Sequence, residues 1–464
     1  MSGTRTRTER DSMGEMEVPV DAYYGASTQR AVLNFPISGR RLSRRMIQAL
    51  GLIKWAAADT NSELGRLDGK LAAAIGEAAL EVADGKLDDE FVVDIFQTGS
   101  GTSSNMNANE VIANRAAELL GGTRGSRDLV HPNDHVNMGQ SSNDVIPTML
   151  HLSAMLAIEE VLRPGLETLQ QTLDAKSTEF WDTIKTGRTH LQDATPIRMG
   201  QVFRGFAGQV ERGLRRTQLA TEELSEVAQG GTAVGTGLNT HPEFSKRLCA
   251  QIATRTGLPV RETENHFQAQ QTLDAALTAS GNLRTVAVSL HKIANDIRLL
   301  ASGPRTGLGE LRMTEVQPGS SIMPGKVNPV IAESLIQVTA QVIANDQALV
   351  QAAQGSYFEL NTMQPFAADN LIQSIEWLGA AALNFSERCV AGLECTNVGP
   401  EMVERGLAIV TRLVPVIGYD LSAKIAHVAA DSGRTVREVA EELTDLTPEQ
   451  LDEGLDPFAM THPE

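Results

Sequence analysis

The sequence contains few cysteines, few aromatic residues and no excess of basic residues, and each shortage excludes a class of protein. Its 464 residues include three cysteines, none in a Cys-x-x-Cys pair, so a disulfide framework is not expected. An iron–sulfur cluster would need all three, but Cys389 and Cys395 share one predicted helical region without a usual cluster spacing. Aromatic residues make up only 4%, a balance that favours long packed helices over a β-sandwich or barrel.

The charge is acidic, and long apolar runs are missing. The formal net charge of -18 argues against nucleic acid or an anionic membrane as a partner. This charge would also repel a dianionic substrate, so a local cluster of donors and cations would be needed to bind one. The N-terminal stretch MSGTRTRTERDSMG is polar and no run of eighteen apolar residues occurs, so we expect no secretory leader and a cytoplasmic location.

Helical periodicity dominates the middle of the chain. Apolar residues between His266 and Ser302 recur every three, four or seven positions, which places one stripe along a helix. The predicted helices are 44–64, 70–84, 104–120, Pro147–Trp181, Gly200–Gln229, His266–Ser302, Pro329–Ala353 and Asn361–Leu393. The first forty residues predict an irregular arm with one short strand pair, and the chain after about residue 396 predicts small terminal helices.

The lengths of the central helices predict an oligomer. A helix of roughly 35 residues spans roughly 50 Å, too long to be covered by one small domain. Small residues within the stripe, such as Ala279 and Ala287, allow helices to approach closely, so we expect a bundle shared between subunits. A monomeric helical array is the alternative. The predicted domains are residues 1–139, 140–395 and 396–464.

The polar loop Gln317–Pro329 is the richest in groups that could do chemistry. Two glycines and three prolines allow it to open and close, and its functional side chains are those of Ser320, Ser321, Lys326 and Asn328. Asn328-Pro329 is also a good helix start, so a capped loop with incidental serines is an equally reasonable interpretation.

Three other loops carry polar groups. Thr186–Asp193 contains His190, which could transfer protons near neutral pH, although a lone histidine is more often structural. Gly99–Asn105 offers hydroxyls and backbone amides ahead of a helix, which suits an anion. The stretch His131–Asp144 is polar and shows no regular spacing of apolar residues. Together the four loops indicate a site for a small, highly charged acid, and no motif indicates a metal.

These loops resemble those of the fumarase/aspartase superfamily. The motifs that carry the resemblance are Asp11–Gly14, Thr98–Thr102, the His131 loop, Gly187–His190 and Gly319–Pro329, and they cover nearly the whole chain. Class II fumarases (fumarase C type) and aspartate ammonia-lyases both end the last motif in Lys-Val-Asn-Pro. The residues at four positions are fumarase-like: His131, Ser142, His190 and Gly325. Ala22–Gly25 departs from this pattern and looks more like the aspartase arm.

The resemblance implies a fold and an activity. The fold is mainly α, with three domains and a central five-helix bundle that forms the core of a homotetramer, and each active site combines loops of three subunits. The implied reaction is the reversible hydration of fumarate to L-malate in the tricarboxylic acid cycle, without cofactor or metal, through an aci-carboxylate carbanion. The alternatives are an aspartate ammonia-lyase and a non-catalytic structural protein of the lens crystallin kind.

The resemblance also implies residue roles. Ser320 is the base that removes the malate C3 proton, His190 binds the reacting water, and Glu333 orients His190, although Glu333 could simply complement a helix dipole. The implied substrate-binding residues are Ser100, Gly101, Thr102, Ser141, Ser142, Asn143, Thr189, Ser321, Lys326 and Asn328. A secondary anion site is implied at His131, Pro132, Asn133 and Asp134, where a helix-start anion trap without a regulatory role is an equally good interpretation.

Overall fold

The structure, a computed structural model, describes residues 5–463, so residues 1–4 of the predicted non-secretory N-terminal stretch lie outside it. The described chain is mainly α-helical. Its helices are α1 (Ala26–Asn34), α2 (Arg44–Glu63), α3 (Gly69–Ala83), α4 (Thr102–Leu119), α5 (Ser142–Ala157), α6 (Arg163–Glu179), α7 (Met199–Leu224), α8 (Phe244–Thr256), α9 (His266–Gln271), α10 (Asp274–Leu300), α11 (Val330–Ala353), α12 (Gln364–Phe385), α13 (Val398–Val403), α14 (Val414–Ile417), α15 (Tyr419–Ser432), α16 (Val436–Leu443) and α17 (Pro448–Gly454).

Short strands accompany the helices. They are β1 (Thr6–Asp11), β2 (Gly14–Pro19), β3 (Ile184–Thr189), β4 (Gln192–Arg198), β5 (Glu226–Val227), β6 (Arg261–Glu262), β7 (Leu311–Arg312), β8 (Ser356–Tyr357), β9 (Leu360–Asn361) and β10 (Glu394–Cys395). They pair two by two, as β1 with β2, β3 with β4, β5 with β6, β7 with β10 and β8 with β9. The β1–β2 hairpin confirms the strand pair predicted for the N-terminal arm.

The predicted helical regions are confirmed, with differences at their ends and one internal interruption. The helix predicted from Pro147 begins at Ser142, because Ser141 and Asp144 form a capping box there. The helix predicted over 266–302 is interrupted at Thr272, which is extended, and resumes as α10. In α10 the predicted stripe is buried, as at Leu283, Leu290 and Ile297. One helical run, Ser142–Glu179, is long and apolar enough to cross a membrane, but 83% of its most apolar window is buried within the protein.

The chain divides into two compact units. The first contains the residues up to Arg163 together with Arg215–Thr285 and Ala340–Leu378. Its core is built on α2 and α3, which pack closely at Gly51, where a Cβ atom would lie 2.5 Å from the backbone nitrogen of Ala83. This close approach requires glycine.

The second unit comprises Pro164–Leu214, Val286–Thr339 and the chain from Gly379 onward. One of its cores forms where α15, α16 and α17 enclose apolar side chains. Its almost completely buried members include Leu413, Ile425, Val439 and Leu451. The hairpin β3–β4 packs on this unit and carries one of the predicted active-site loops at its tip.

Candidate active site

The loop 317–329 is closed on itself by backbone contacts. Gly319 lies so near the opposite strand of the loop that a Cβ atom there would be 1.8 Å from the carbonyl oxygen of Lys326. Asn328 Nδ2 donates to the carbonyl oxygen of Gly319. Gly325 turns the chain with a φ of 76°, in the left-handed region. The loop is therefore a closed, exposed structure whose shape depends on glycine and on the Asn328 amide.

Ser320 accepts two backbone hydrogen bonds inside this loop. The amide nitrogens of Ile322 and Met323 lie 3.2 Å and 3.1 Å from its Oγ. Donors that point at an oxygen stabilise its anionic form relative to its neutral form. A serine held in this way is a better base than a free one, since the alkoxide is the form that accepts a proton.

His190 occupies the tip of the β3–β4 hairpin. It forms with Leu191 a two-residue turn in which both residues have positive φ, 57° and 61°. Such turns normally use asparagine and glycine, because a side chain in the left-handed region costs roughly 1–2 kcal/mol. The strain holds the His190 imidazole out in solvent, and strained backbone of this kind is concentrated at functional sites.

A buried carboxylate anchors the base of this hairpin. Glu310 is 1% exposed and forms ion pairs with Arg188, at 2.6 Å, and with Lys185, at 3.2 Å. Burial lowers the pKa of Lys185, and the Glu310 charge acts in the opposite direction. Because Arg188 is two residues from His190, the network fixes the strand that carries the imidazole.

In the first unit, the Thr98–Thr102 loop and the start of α5 lie together. Gly101 has a φ of 71°, and a Cβ atom there would lie 2.8 Å from the side chain of Ile146 in α5. Ser100 Oγ lies 2.8 Å from Thr102 Oγ1. Ser141 caps α5, and Asn143 Nδ2 donates to the carbonyl oxygen of Ala233. Hydroxyls and amides thus gather beside two helix N-termini, an arrangement that favours a carboxylate.

The His131 turn is closed by its own imidazole. His131 Nδ1 accepts from the amide nitrogens of Asn133 and Asp134, at 3.3 Å and 3.1 Å. Asp134 Oδ2 also lies 3.2 Å from this Nδ1, but an ion pair would need a proton on the atom that is accepting from the amides. We therefore place the imidazole proton on Nε2, which is free to face an anion. Binding of an anion there stays a prediction.

The structure brings together some of the predicted site residues and leaves others apart. Ser320, Ser321, Lys326 and Asn328 share one loop, and Glu333 lies half-buried in the first turn of α11. Within the part of the chain that the structure describes, His190 and Glu333 make no hydrogen bond to each other. Their predicted pairing is therefore untested by one chain.

Several residues that contact the predicted loops were given no individual role by the sequence, although Asn105, Asn137 and Arg188 lie within those loops. They are Lys54, Asn105 and Asn137 in the first unit and Lys185, Arg188 and Glu310 in the second. A signal existed for Lys54, because a lysine interrupts the apolar face of α2 in the stretch LGLIKWAAA. Across residues 5–463, no three His, Cys, Asp or Glu side chains form a group that could hold a metal.

Comparison with known proteins identifies the family. Residues 14–344 match a family described as Lyase, and residues 409–462 match a family described as Fumarase C C-terminus. The class II fumarate hydratase of Halobacterium salinarum is 56% identical over 98% of this chain and 97% of its own length. The mitochondrial fumarate hydratase of Rattus norvegicus is 50% identical over 98% of this chain and 90% of its own length.

A solved structure agrees with these relatives. The class II fumarase of Schistosoma mansoni superposes with a TM-score of 0.95 at 41% identity, covering 99% of this chain and all of the other. The mainly α fumarase/aspartase fold predicted from the motifs is thereby confirmed. The chain belongs to the class II fumarate hydratase family, which consists of lyases of the hydro-lyase type.

Proposed function

We propose that this chain catalyses the reversible addition of water to fumarate to give L-malate, without a metal or bound cofactor, as a step of the tricarboxylic acid cycle. The observation that carries the mechanism is the pair of amides that donate to Ser320 Oγ. The family relationship supports the reaction, and the geometry supports the assignment of the base.

In the dehydration direction, the Ser320 alkoxide takes the proton from C3 of malate. The C3–H electron pair moves into the adjacent carboxylate and forms an aci-carboxylate. The C2–O bond then breaks, and the departing hydroxide takes a proton from His190 and leaves as water. Hydration is the reverse. The extra carboxylate charge is the main barrier, and each preorganised donor aimed at such a charge is worth roughly 3 kcal/mol.

The substrate carboxylates need cations and donors. Lys326 supplies the charge within the signature loop, and Asn328 and Ser321 supply donors beside it. Ser141, Ser142 and Asn143 offer a second set of donors at the start of α5, helped by Ser100, Gly101, Thr102 and Thr189. Glu333 orients the His190 imidazole, since a carboxylate partner selects the tautomer and raises basicity.

The assembly is proposed to be a homotetramer with composite active sites. Each subunit is proposed to contain three domains, residues 1–139, 140–395 and 396–464. Long helices of the single chain expose large apolar side chains, including Val288 at 54% and Leu299 at 44%. Such exposure is typical of helices that pack against another subunit. We place the enzyme in the cytoplasm, although the rat relative is mitochondrial by name.

Subunit mixing tests the composite site. Ser320→Ala and Asn143→Ala proteins are each expected to be inactive or nearly so. If one site takes these residues from different subunits, refolding the two variants together restores a substantial fraction of activity. Recovery no greater than the sum of the separate variants would contradict the composite arrangement.

The His131–Asp134 turn is proposed to bind a second dicarboxylate through the outward His131 Nε2. In a His131→Asn variant, inhibition or activation by excess dicarboxylate should be lost while kcat is kept. Unchanged behaviour at high dicarboxylate concentration would leave the turn with a purely capping role.

The direct test of the activity follows the ultraviolet absorbance of the conjugated double bond of fumarate. Chelator-treated protein is given L-malate, and aspartate is tested in parallel because an ammonia-lyase would also produce fumarate. Ser320→Ala should lower kcat by roughly 10²–10⁴-fold, whereas Ser334→Ala, an exposed serine of α11, should not. Fumarate formed only from aspartate, or activity lost on chelation, would contradict the proposal.

A further inference from the structure

Lys54 is a buried cation in an apolar helix. It lies in the middle of α2 with no solvent exposure, between neighbours such as Ile53 and Ala57 that form the core. Its Nζ donates to Asn137 Oδ1 at 2.9 Å and to Gln140 Oε1 at 3.0 Å. Among the hydrogen bonds and ion pairs of residues 5–463, none joins this Nζ to a carboxylate. A fully buried ammonium thus faces two neutral amides.

These amides connect Lys54 to the loop proposed to bind substrate. Asn137 Oδ1 also accepts from Asn105 Nδ2 at 3.2 Å, and the same Asn105 nitrogen lies 3.3 Å from Ser142 Oγ. Asn137 Nδ2 donates to the carbonyl oxygen of Gln140, the residue before Ser141. Lys54 is therefore connected to Ser142 by a continuous chain of polar contacts through Asn137 and Asn105.

Within the described chain, no carboxylate bonds directly to the Lys54 amine. Asp144, from α5, is the charged group that acts on it, and the groups that bond to its Nζ, Asn137 and Gln140, are neutral. The Asp144 oxygens are already occupied by the backbone amides of Ser141, Gly230 and Thr232. Burial lowers the pKa of Lys54 to about 7 and raises that of Asp144 to about 6.

Such an arrangement is unfavourable for folding alone. A buried charge that is not directly paired is costly, and an apolar side chain of similar volume commonly stabilises the fold. A directly bonded anion is missing, and the loop that these hydrogen bonds connect to the lysine is the one proposed to bind a dianion.

We propose that Lys54 is a positioning residue that places a positive charge beneath the Ser141–Asn143 loop, so that binding of a dicarboxylate is coupled to uptake of a proton by its amine. The inference rests on the proposed assignment of that loop to substrate. The field of the bound dianion favours the ammonium form, and the ammonium in turn favours the dianion. A unit charge about 10 Å away through an effective dielectric constant of about 20 changes binding by roughly tenfold.

The test compares Lys54→Met with wild type in succinate inhibition, since succinate is a dicarboxylate that cannot be hydrated. At about pH 6 the variant should bind succinate roughly tenfold more weakly than wild type. At about pH 9 the ratio of the two inhibition constants, variant over wild type, should approach one, because wild-type Lys54 has then lost its proton. The matched control is Lys176→Met, which removes another buried lysine, bonded to Glu179 and to the carbonyl oxygen of Leu393. It should leave the ratio near one at both pH values.

The Asn143→Ala variant distinguishes a failure of the proposed role of Lys54 from a failure of the proposed substrate site. If Asn143→Ala weakens succinate binding but Lys54→Met does not, the role of Lys54 is overturned and the site stands. If Asn143→Ala has no effect, the loop does not bind substrate and both are overturned. A tenfold weakening by Lys54→Met that is the same at both pH values would show a packing defect and would also overturn the proposal.

A second measurement does not depend on the folding of Lys54→Met. Calorimetric titration of a His131→Asn/His190→Asn double variant with succinate, at about pH 8 in buffers of different ionisation enthalpy, counts the protons taken up without a contribution from the histidine of either proposed site. Uptake of a substantial fraction of a proton supports the coupling, and no uptake overturns it.

Discussion

Replacing Glu310 by glutamine should both destabilise the protein and disable it. The carboxylate is 1% exposed and lies against Arg188 and Lys185, which are themselves 19% and 5% exposed. Glutamine keeps the shape but removes the negative charge. Two largely buried cations would then remain with only the exposed Asp193 carboxylate, 4.0 Å from Arg188, to balance them, and the strained His190 hairpin would lose its anchor.

The size of the effect follows from burial. Removing one partner of a buried ion pair costs about 3–5 kcal/mol, since an uncompensated charge is left behind. With an unfolding entropy of about 2.1 cal/mol/K per residue, the 464-residue chain would lose about 3–5 °C in Tm if it unfolds cooperatively. A displacement of His190 by about 1 Å should lower kcat roughly 10²-fold.

The control is Glu394→Gln, which removes the partner of Arg312 on the surface of the same unit. Both side chains of that pair are more than half exposed, so its loss should cost less than about 1 kcal/mol. Differential scanning calorimetry and fumarate absorbance would follow both variants. Equal shifts in Tm for the two glutamates, or a Glu310→Gln enzyme with wild-type kcat, would refute the reasoning.

Three further predictions concern the loop, the buried lysine and the thiols. Gly319→Ala should abolish turnover, because its Cβ atom would collide with the backbone of the loop. The Cβ atom of Gly325→Ala meets open space, and this change adds only about 1–2 kcal/mol of backbone strain. Equal kcat values for the two variants would contradict the closed loop. Lys54 has a pKa near 10.5 in the unfolded chain and about 7 in the folded protein, so between these pH values the unfolded chain binds more protons and the free energy of unfolding rises with pH. The Lys54→Met variant lacks this rise, so its advantage over wild type in free energy of unfolding, followed by calorimetry, should shrink by about 1.4 kcal/mol per pH unit from about pH 7 to about pH 9. A difference that stays constant with pH would contradict a titrating lysine. Burial raises the pKa of Cys249 and Cys389 to about 12, so both thiols should react with a thiol reagent only after the protein is denatured. Fast reaction of these thiols in the native protein would contradict their burial.

Local patterns in the sequence were sufficient for the long helices and the polar loops. Apolar spacing near 3.6 residues is a property of each helix by itself, and for this reason α2, α3 and α11 lie within about one residue of their predicted ranges. The start of α5 and the end of α7 each lie about five residues from their predicted positions. At α5, the capping box formed by Ser141 and Asp144 outweighed Pro147 as a start signal.

The motifs also indicated which loops carry the chemistry, because glycine, proline and hydroxyl residues together are rare in helical stretches. The positive φ of His190 could not be predicted from composition, and neither could the identity of the two amides that donate to Ser320. Both depend on how a turn closes in three dimensions, and a side chain such as histidine gives no sign in the sequence that its backbone is strained.

The sequence by itself determined the helical class, the loops and the family, since periodicity and motifs are read along the chain. Only the tertiary structure decided which charges are buried and with what partners. Glu310 is 125 residues from Lys185 along the chain, and Lys54 is 83 residues from Asn137. No local pattern encodes such pairings, because burial and electrostatic balance exist only after distant segments have packed together.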